Sequence, residues 1–493
     1  MDQPNFTRGV YQDSVVTQAG TTYYLARLES GEKRLVVQGD TAAFAGDESD
    51  EGLLCPLTPA NTAALRARLP WLNPVSLGQQ SSFGFGDRLG SATPGHVQAL
   101  RTADPNGAIA PIFAQQSVRE NSRIGRTPQQ VMDDATWGVF QEGWRAPWGA
   151  DADHVKEVAD LDAFVAAGYT FFTIDPSDHV DNTAQTDSLD SLTTKTAVLP
   201  WDTLQSSYDD MHDRYCRRPF VLNDLTLAFD EVMLRRALAK YGRALAHTIT
   251  VAGELTTQMG RKPYDLEISV DETDTPTSVH EHFFIVNELT RGRVPLATVA
   301  PRFVGKFQKG VDYIGDIDEF ERELVRHAAI MRHFGSYKLS IHTGSDKFSI
   351  YPAIARQTQG QVHVKTAGTS YLEALRVMAA QDPVFFRPIL DLARARFEKD
   401  RKTYFLDAQL SQVPENSSLA DSDLPALLEH FDTRQVLHVT FGSILDELGP
   451  AFHNFIDRHE AEYSRALVTH FGRHLAPFVE EPDENKPDYI ARG

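Results

Sequence analysis

The stretch Tyr169-Thr170-Phe171-Phe172-Thr173-Ile174-Asp175-Pro176-Ser177-Asp178-His179 decides the fold. A short aromatic and β-branched run breaks abruptly into a polar, proline-containing cluster, the pattern of a buried strand that ends in a loop. Just before it, Leu161, Phe164 and Val165 keep a helical spacing that stops at Gly168, a residue suited to a left-handed helix end. Helix, strand and polar loop form the repeating unit of a parallel α/β sheet. Working outward, the strand-like run recurs eight times, at 82–85, 108–113, 144–148, 169–174, 265–270, 296–299, 338–341 and 361–364. Helix patterns lie between the runs. Thr127 as N-cap with Pro128 behind it leads into Val131, Ala135 and Val139, and Phe320, Leu324, Ala328 and Met331 end at Gly335. Eight such units predict an α/β fold, a closed (β/α)8 barrel of TIM type, in preference to a doubly wound sheet.

The remainder is arranged around that barrel. Residues 1–76 read as a small N-terminal α/β unit, 77–380 as the barrel and 381–493 as a helical C-terminal extension. The fourth connection is too long for one crossover helix, so 180–262 reads as a helical insertion after strand 4, with helices at 229–241 and 244–254, placed to cover the barrel mouth. The acidic stretch 480–485 reads as a tail.

Composition narrows the function. The chain has 493 residues, with 48 Lys plus Arg against 68 Asp plus Glu, a formal charge of −20. Such a surface repels phosphate backbones and anionic lipid, so neither nucleic acid nor membrane is an expected partner; a small molecule is. Cys55 and Cys216 are the two cysteines, too few for a disulfide framework or a cysteine zinc cluster. Met1-Asp2-Gln3-Pro4-Asn5 has no basic start and no apolar core, and no run of 18 apolar residues occurs, so a cytoplasmic location is expected.

In a barrel the chemistry sits where strands end. Asp153-His154, Asp175 to His179, Asp271-Glu272 and His342 to Lys347 follow predicted strands. Histidines from separate loops suggest a divalent metal with a coordination position left open. His154 and His342 stand at strand ends. His280-Glu281-His282 opens a helix; residues two apart on a helix do not face one another, so one ligand at most is expected there. His282 shares the apolar stripe of Val279, Phe283 and Val286 and reads equally as a core histidine. His179 and His363 are further candidates, whereas His438 reads as core. Asp153 is a candidate base, although it also reads as a loop or capping aspartate, and Asp175 has the same standing. Glu267 lies inside an apolar run, where a carboxylate is costly unless paired, and is a candidate acid. Arg88, Arg302, Lys306, Lys347 and Lys365 gather cations at strand ends and suggest an anionic small molecule. Gly84-Phe85-Gly86-Asp87-Arg88-Leu89-Gly90 is one residue too long for a dinucleotide fingerprint, and neither a P-loop nor a G-x-S-x-G elbow occurs.

Several longer motifs carry a resemblance. Gly86-Asp87-Arg88-Leu89-Gly90-Ser91-Ala92-Thr93-Pro94-Gly95-His96, Gly149-Ala150-Asp151-Ala152-Asp153-His154, Thr173 to His179, Glu267-Ile268-Ser269-Val270-Asp271-Glu272-Thr273 and Ser340 to Lys347 together resemble the tagaturonate–fructuronate epimerases, bacterial enzymes of hexuronate catabolism, some of which also act as tagatose 4-epimerases. The resemblance spans most of 80–380 and continues C-terminally. It implies an isomerase that needs a divalent cation (Zn, Ni, Mn, Co or Fe) and interconverts D-tagaturonate and D-fructuronate. Residue by residue, it implies Asp153 as proton acceptor, Glu267 as proton donor, and His154, His282 and His342 on the metal; Asp87, Arg88, Arg302 and Lys365 are the residues expected on the substrate. The two sugars differ at a carbon β to the ketone, whose C–H is not acidic. Reversible retro-aldol cleavage, with re-addition through the other face of the aldehyde, is therefore the expected route. A metal-dependent ketose isomerase or aldolase on the same barrel, and a non-catalytic sugar-acid binding protein, are the rival readings.

Overall fold

A computed structural model of the chain describes residues 9–222 and 225–479. The start of the chain, on which the leader reading rests, and the tail at 480–485 lie outside the described residues.

Eight strands form the expected barrel: β1 Ser82–Gly86, β2 Ala110–Ser117, β3 Gly149–Val155, β4 Phe171–Ile174, β5 Asp265–Val270, β6 Leu296–Pro301, β7 Lys338–Ile341 and β8 Val362–Thr366. Each pairs in parallel with its neighbours in the chain, and β8 closes on β1. The expected helix signals form as read. Thr127 and Gln130 make a reciprocal capping box at Pro128–Gln141, and Gly168 and Gly335 end their helices at φ 89° and φ 64°.

The third strand is displaced from its expected place. The apolar run at 144–148 leads into the strand, and the strand itself is Gly149–Val155. Its inward residues include Asp151 and Asp153, which point into a polar barrel interior, so an apolar pattern is missing where the strand is. Pairing also slips by one residue between Ala152–Phe172 and Val155–Ile174, which leaves one extra residue on β3. This bulge lets the adjacent Asp153 and His154 both face the barrel mouth, which regular alternation forbids.

Before the barrel, six short strands form an antiparallel sheet, followed by the helix Pro59–Arg68. Glu460, at the start of the last helix, ties this sheet to the C-terminal end through Arg27 at 2.7 Å and Lys33 at 2.6 Å. Among the described residues the insertion after β4 is helical apart from one short antiparallel pair, Phe220–Leu222 with Leu225–Leu227, but its two expected helices are a single one, Glu231–Met259. Gly242 within it lets Leu199 pack close, since a Cβ there would meet the end of that side chain at 2.7 Å and push it aside. The C-terminal extension adds Pro383–Asp400, Phe431–Val439, Phe441–Arg458 and Glu460–Val479, and the last packs on Thr93–Ala103. Among the described residues no helix is long and apolar enough to cross a membrane.

Candidate active site

A cavity of about 640 Å³ opens at the C-terminal ends of the barrel strands. Its walls include Asp153, His154, Asp271, His342 and Lys365. The segment Thr403, Tyr404, Phe405, Leu406 and Asp407 of the C-terminal extension also lines it, whereas no described residue of 180–262 does. The mouth is thus roofed by the extension, and the insertion, expected to cover it, packs along the barrel's flank through Glu231–Met259.

The floor is a charged layer built by register. Thr173, Glu267 and Thr298 stand side by side on β4, β5 and β6. The Thr298 hydroxyl donates to Glu267 Oε2 at 2.7 Å, and Thr173 Oγ1 lies 3.2 Å from Oε1. Lys365 reaches in from β8, with Nζ 2.8 Å from Asp151, 2.8 Å from Asp153 and 2.9 Å from Glu267. Burial disfavours its ammonium, but the three carboxylates outweigh burial and hold it charged. Burial and the neighbouring carboxylates push Asp151 up to about 7 against the pull of Lys365. Asp153 and Glu267 are buried too, yet Lys365 and the histidines hold both well below the usual carboxylate range.

His154 and His342 come together above this layer, with ring centroids 5.0 Å apart. One nitrogen of each donates to a carboxylate. His154 Nδ1 lies 3.2 Å from Asp175 Oδ2, and His342 Nε2 lies 2.6 Å from Glu267 Oε1. Asp271, one residue past β5, completes a trio whose donor atoms lie within 4.8 Å of one another. Two imidazoles and a carboxylate, with outer carboxylates fixing the rings and one side open to a cavity, suit a divalent cation. Burial lowers both rings, but Asp153 and Asp175 raise His154 to about 10, and Asp271 and Glu267 raise His342 to about 9. His154 and the β-branched Thr343 hold positive φ, 53° and 49°, so backbone strain sits at two corners of the site.

The other expected residues are placed elsewhere. His282 does not join the trio. It lies between two helices, with Nδ1 2.8 Å from His327 Nδ1 and Nε2 2.9 Å from the Tyr337 hydroxyl, so both nitrogens are spent, and burial keeps the ring neutral. Glu267 does not line the cavity; it is fully buried, and its oxygens are taken from below and from the side. Asp87 accepts the backbone N–H groups of Leu89, Gly90 and Ala92 and so shapes a loop. Arg88 is buried against Glu120 at 2.5 Å and over the Phe441 ring. Neither lines the cavity, whereas Arg302 and Lys365 do. His363 pairs with Ser82 at 2.9 Å near the barrel's other end, His280 packs on Phe229, and His438 is core. His179 stacks on His247, centroids 4.0 Å apart.

Sequence reasoning placed Asp271 at a strand end without making it a ligand, and it gave Asp151 no role. Asp271 shows the strand-end position that singled out His342, and Asp151 stands two residues before Asp153, on the same strand face, so both had a signal. A second cluster of like composition, Asp346, His470 and His474, lies on the C-terminal side of the barrel. There His474 Nε2 accepts the Asp346 N–H at 2.9 Å and Nδ1 donates to the His470 carbonyl at 3.0 Å. His470 sits between Asp346 at 2.9 Å and Glu373 at 3.3 Å, and Arg434 holds the remaining Asp346 oxygen at 3.1 Å.

Comparison with known proteins finds relatives over nearly the whole chain. The profile of the tagaturonate epimerase family matches residues 11–478. A tagaturonate/fructuronate epimerase of Thermotoga maritima is 43% identical over 483 residues, 96% of this chain and 97% of that one. A glycerol-bound crystal structure of fructuronate-tagaturonate epimerase from Cohnella laeviribosi superposes with a TM-score of 0.90 at 38% identity, covering 96% of each chain. The native crystal structure of the same enzyme gives a TM-score of 0.90 at 37% identity, again over 96% of each chain.

Proposed function

We propose that this chain, which belongs to the tagaturonate epimerase family, interconverts D-tagaturonate and D-fructuronate by retro-aldol cleavage and re-addition with the help of one divalent cation. Membership makes it an enzyme of the isomerase class, a carbohydrate epimerase. The observation that carries the chemical reading is the trio His154, Asp271 and His342 beside the Asp153–Lys365 pair, all on one cavity wall. The carboxylates around the two histidines create a field that holds two positive charges. A divalent cation bound through both rings and Asp271 would replace those two protons charge for charge. When bound, it would supply a Lewis acid for the substrate's ketone and neighbouring oxygen.

The remaining roles fall to the chain's own groups. Asp153 faces the cavity as a carboxylate and takes the proton of the hydroxyl on the carbon to be inverted. Lys365, 2.8 Å away, gives a proton to the oxygen of the re-formed alkoxide and regains one from Asp153, so that the pair ends the turnover as it began. Glu267 reaches the cavity only through Lys365 and His342, so its role is to orient both, not to donate directly. Asp175 orients His154 in the same way. The roof formed by 403–407 retains the two fragments while the aldehyde turns.

Incubating the metal-loaded protein with D-tagaturonate should yield D-fructuronate, and a chelator should stop it. In D2O the hydrogen on the inverted carbon should be retained, because that carbon passes through an aldehyde; deuterium at that carbon would rule out the retro-aldol route. Asp153→Asn should lower kcat about 10³-fold with an unchanged melting temperature, within the usual range for loss of a general base. Wild-type turnover in this variant sinks the assignment.

A further inference from the structure

Among the described residues, six cationic side chains line the cavity: Arg119, Lys156, Arg302, Lys306, Lys309 and Lys365. Four are already engaged. Lys365 serves three carboxylates, Arg119 pairs with Glu272 at 3.0 Å, Lys306 with Asp407 at 2.8 Å and Lys156 with Asp178 at 3.1 Å. Among the described residues, the side chains of Arg302 and Lys309 have neither an ion pair nor a hydrogen bond, and of the two it is Lys309 whose charge desolvation weakens. The acid that acts on it most is Glu120, whose carboxylate is taken by Arg88 at 2.5 Å and by Gln116 at 2.6 Å.

The backbone around Lys309 is fixed with unusual completeness. Four successive carbonyls are held by side chains from elsewhere. The buried Lys347 ammonium binds those of Gln308 at 2.9 Å and Val311 at 2.6 Å, Gln435 reaches that of Lys309 at 3.3 Å, and Arg434 binds that of Gly310 at 2.6 Å. Gln435 also grips the Gln308 side chain at 2.9 Å. The anchors hold the main chain and leave the Lys309 side chain unpaired. A desolvated, unpaired ammonium is unfavourable for the free protein, and holding it rigidly in a cavity makes sense when a ligand supplies the missing anion.

We propose that Lys309 is the residue that receives the carboxylate of the sugar acid and sets the preference for keto-hexuronates over neutral ketohexoses. This rests on the function proposed above. The reacting end of the substrate lies at the trio and Asp153, and its terminal carboxylate is the one anionic group left without a partner there. Lys365, expected from the sequence to bind that anion, is neutralised by the floor and is not available.

The test compares wild type, Lys309→Met, Lys309→Arg and Arg302→Met, each metal-loaded, on D-tagaturonate and on D-tagatose. The ratio of kcat/KM for the acid to that for the neutral sugar should fall about 30-fold in K309M, carried mainly by KM, in line with loss of one charge-assisted contact. K309R should restore most of the ratio. The melting temperature of K309M should be equal or higher, because an unpaired, partly buried charge has been removed. An equal loss on both sugars, or a fall in the ratio in R302M but not in K309M, overturns the assignment. Failure of wild type to turn over D-tagaturonate at all would instead strike the proposed function.

Discussion

Two clusters of histidine and aspartate stand on this barrel, built from the same residue types, each with its donor atoms within 4.8 Å of one another. His154, Asp271 and His342 face a cavity, and one carboxylate backs each ring. Asp346, His470 and His474 begin four residues beyond His342, yet every nitrogen of the two rings is committed within the protein. Proximity of donors therefore does not distinguish a cation site from a brace. What separates them is how many lone pairs remain unspent and whether a substrate can reach them. The second cluster joins the loop after β7 to the last helix, so one loop carries a site residue at one end and its anchor at the other.

The contrast can be broken most decisively at Asp271. Asp271→Asn should lower divalent-cation affinity at least about 100-fold and kcat/KM about 10³-fold, while a chain with its second cluster intact but its first altered binds no stoichiometric ion. Elemental analysis of wild type should find one ion per chain; two would erase the distinction. At the other cluster, Asp346→Ala leaves Arg434 and His470 buried without their shared partner. It should reduce unfolding free energy by about 3–5 kcal/mol while the purified protein still binds its ion, as read by denaturant melts and calorimetry. A stable D346A that has lost the ion would exchange the roles of the two clusters.

The smallest effect is expected far from both, at the seam between the N-terminal sheet and the last helix. Burial alone would raise the Glu460 carboxyl, but Lys33, Tyr11 and Arg27 bring it down to about 2. Its stabilisation is then complete above the ordinary glutamate value of about 4.3 and is lost as pH falls from there toward 2. Glu460→Gln should cost about 2 kcal/mol at pH 7 and flatten the melting temperature between pH 5 and 3, with cation affinity untouched.

The barrel was legible because seven of its strands follow apolar patterning and their ends are polar. The third was misplaced for a physical reason: β3 turns Asp151 and Asp153 inward toward Lys365, so polarity marks the functional strand where hydrophobicity marks the others. His154 and His342 could be picked out by position. His282 could not be excluded from sequence, because the partners that consume it, His327 and Tyr337, lie 45 and 55 residues away. Lys309 left no trace in the pattern, since its importance comes from what its neighbours fail to neutralise, which only the folded chain reveals.

The roof at 403–407 and the brace at His470 and His474 also fix an order of events during synthesis. All eight barrel strands have been made by residue 366, but the cavity has no cover, and the loop bearing His342 has no anchor, until residue 474 has been added. A chain cut between these two points is therefore expected to keep all eight strands while leaving the charged mouth uncovered and the His342 loop unbraced, so competence depends on the extension as well as on the barrel.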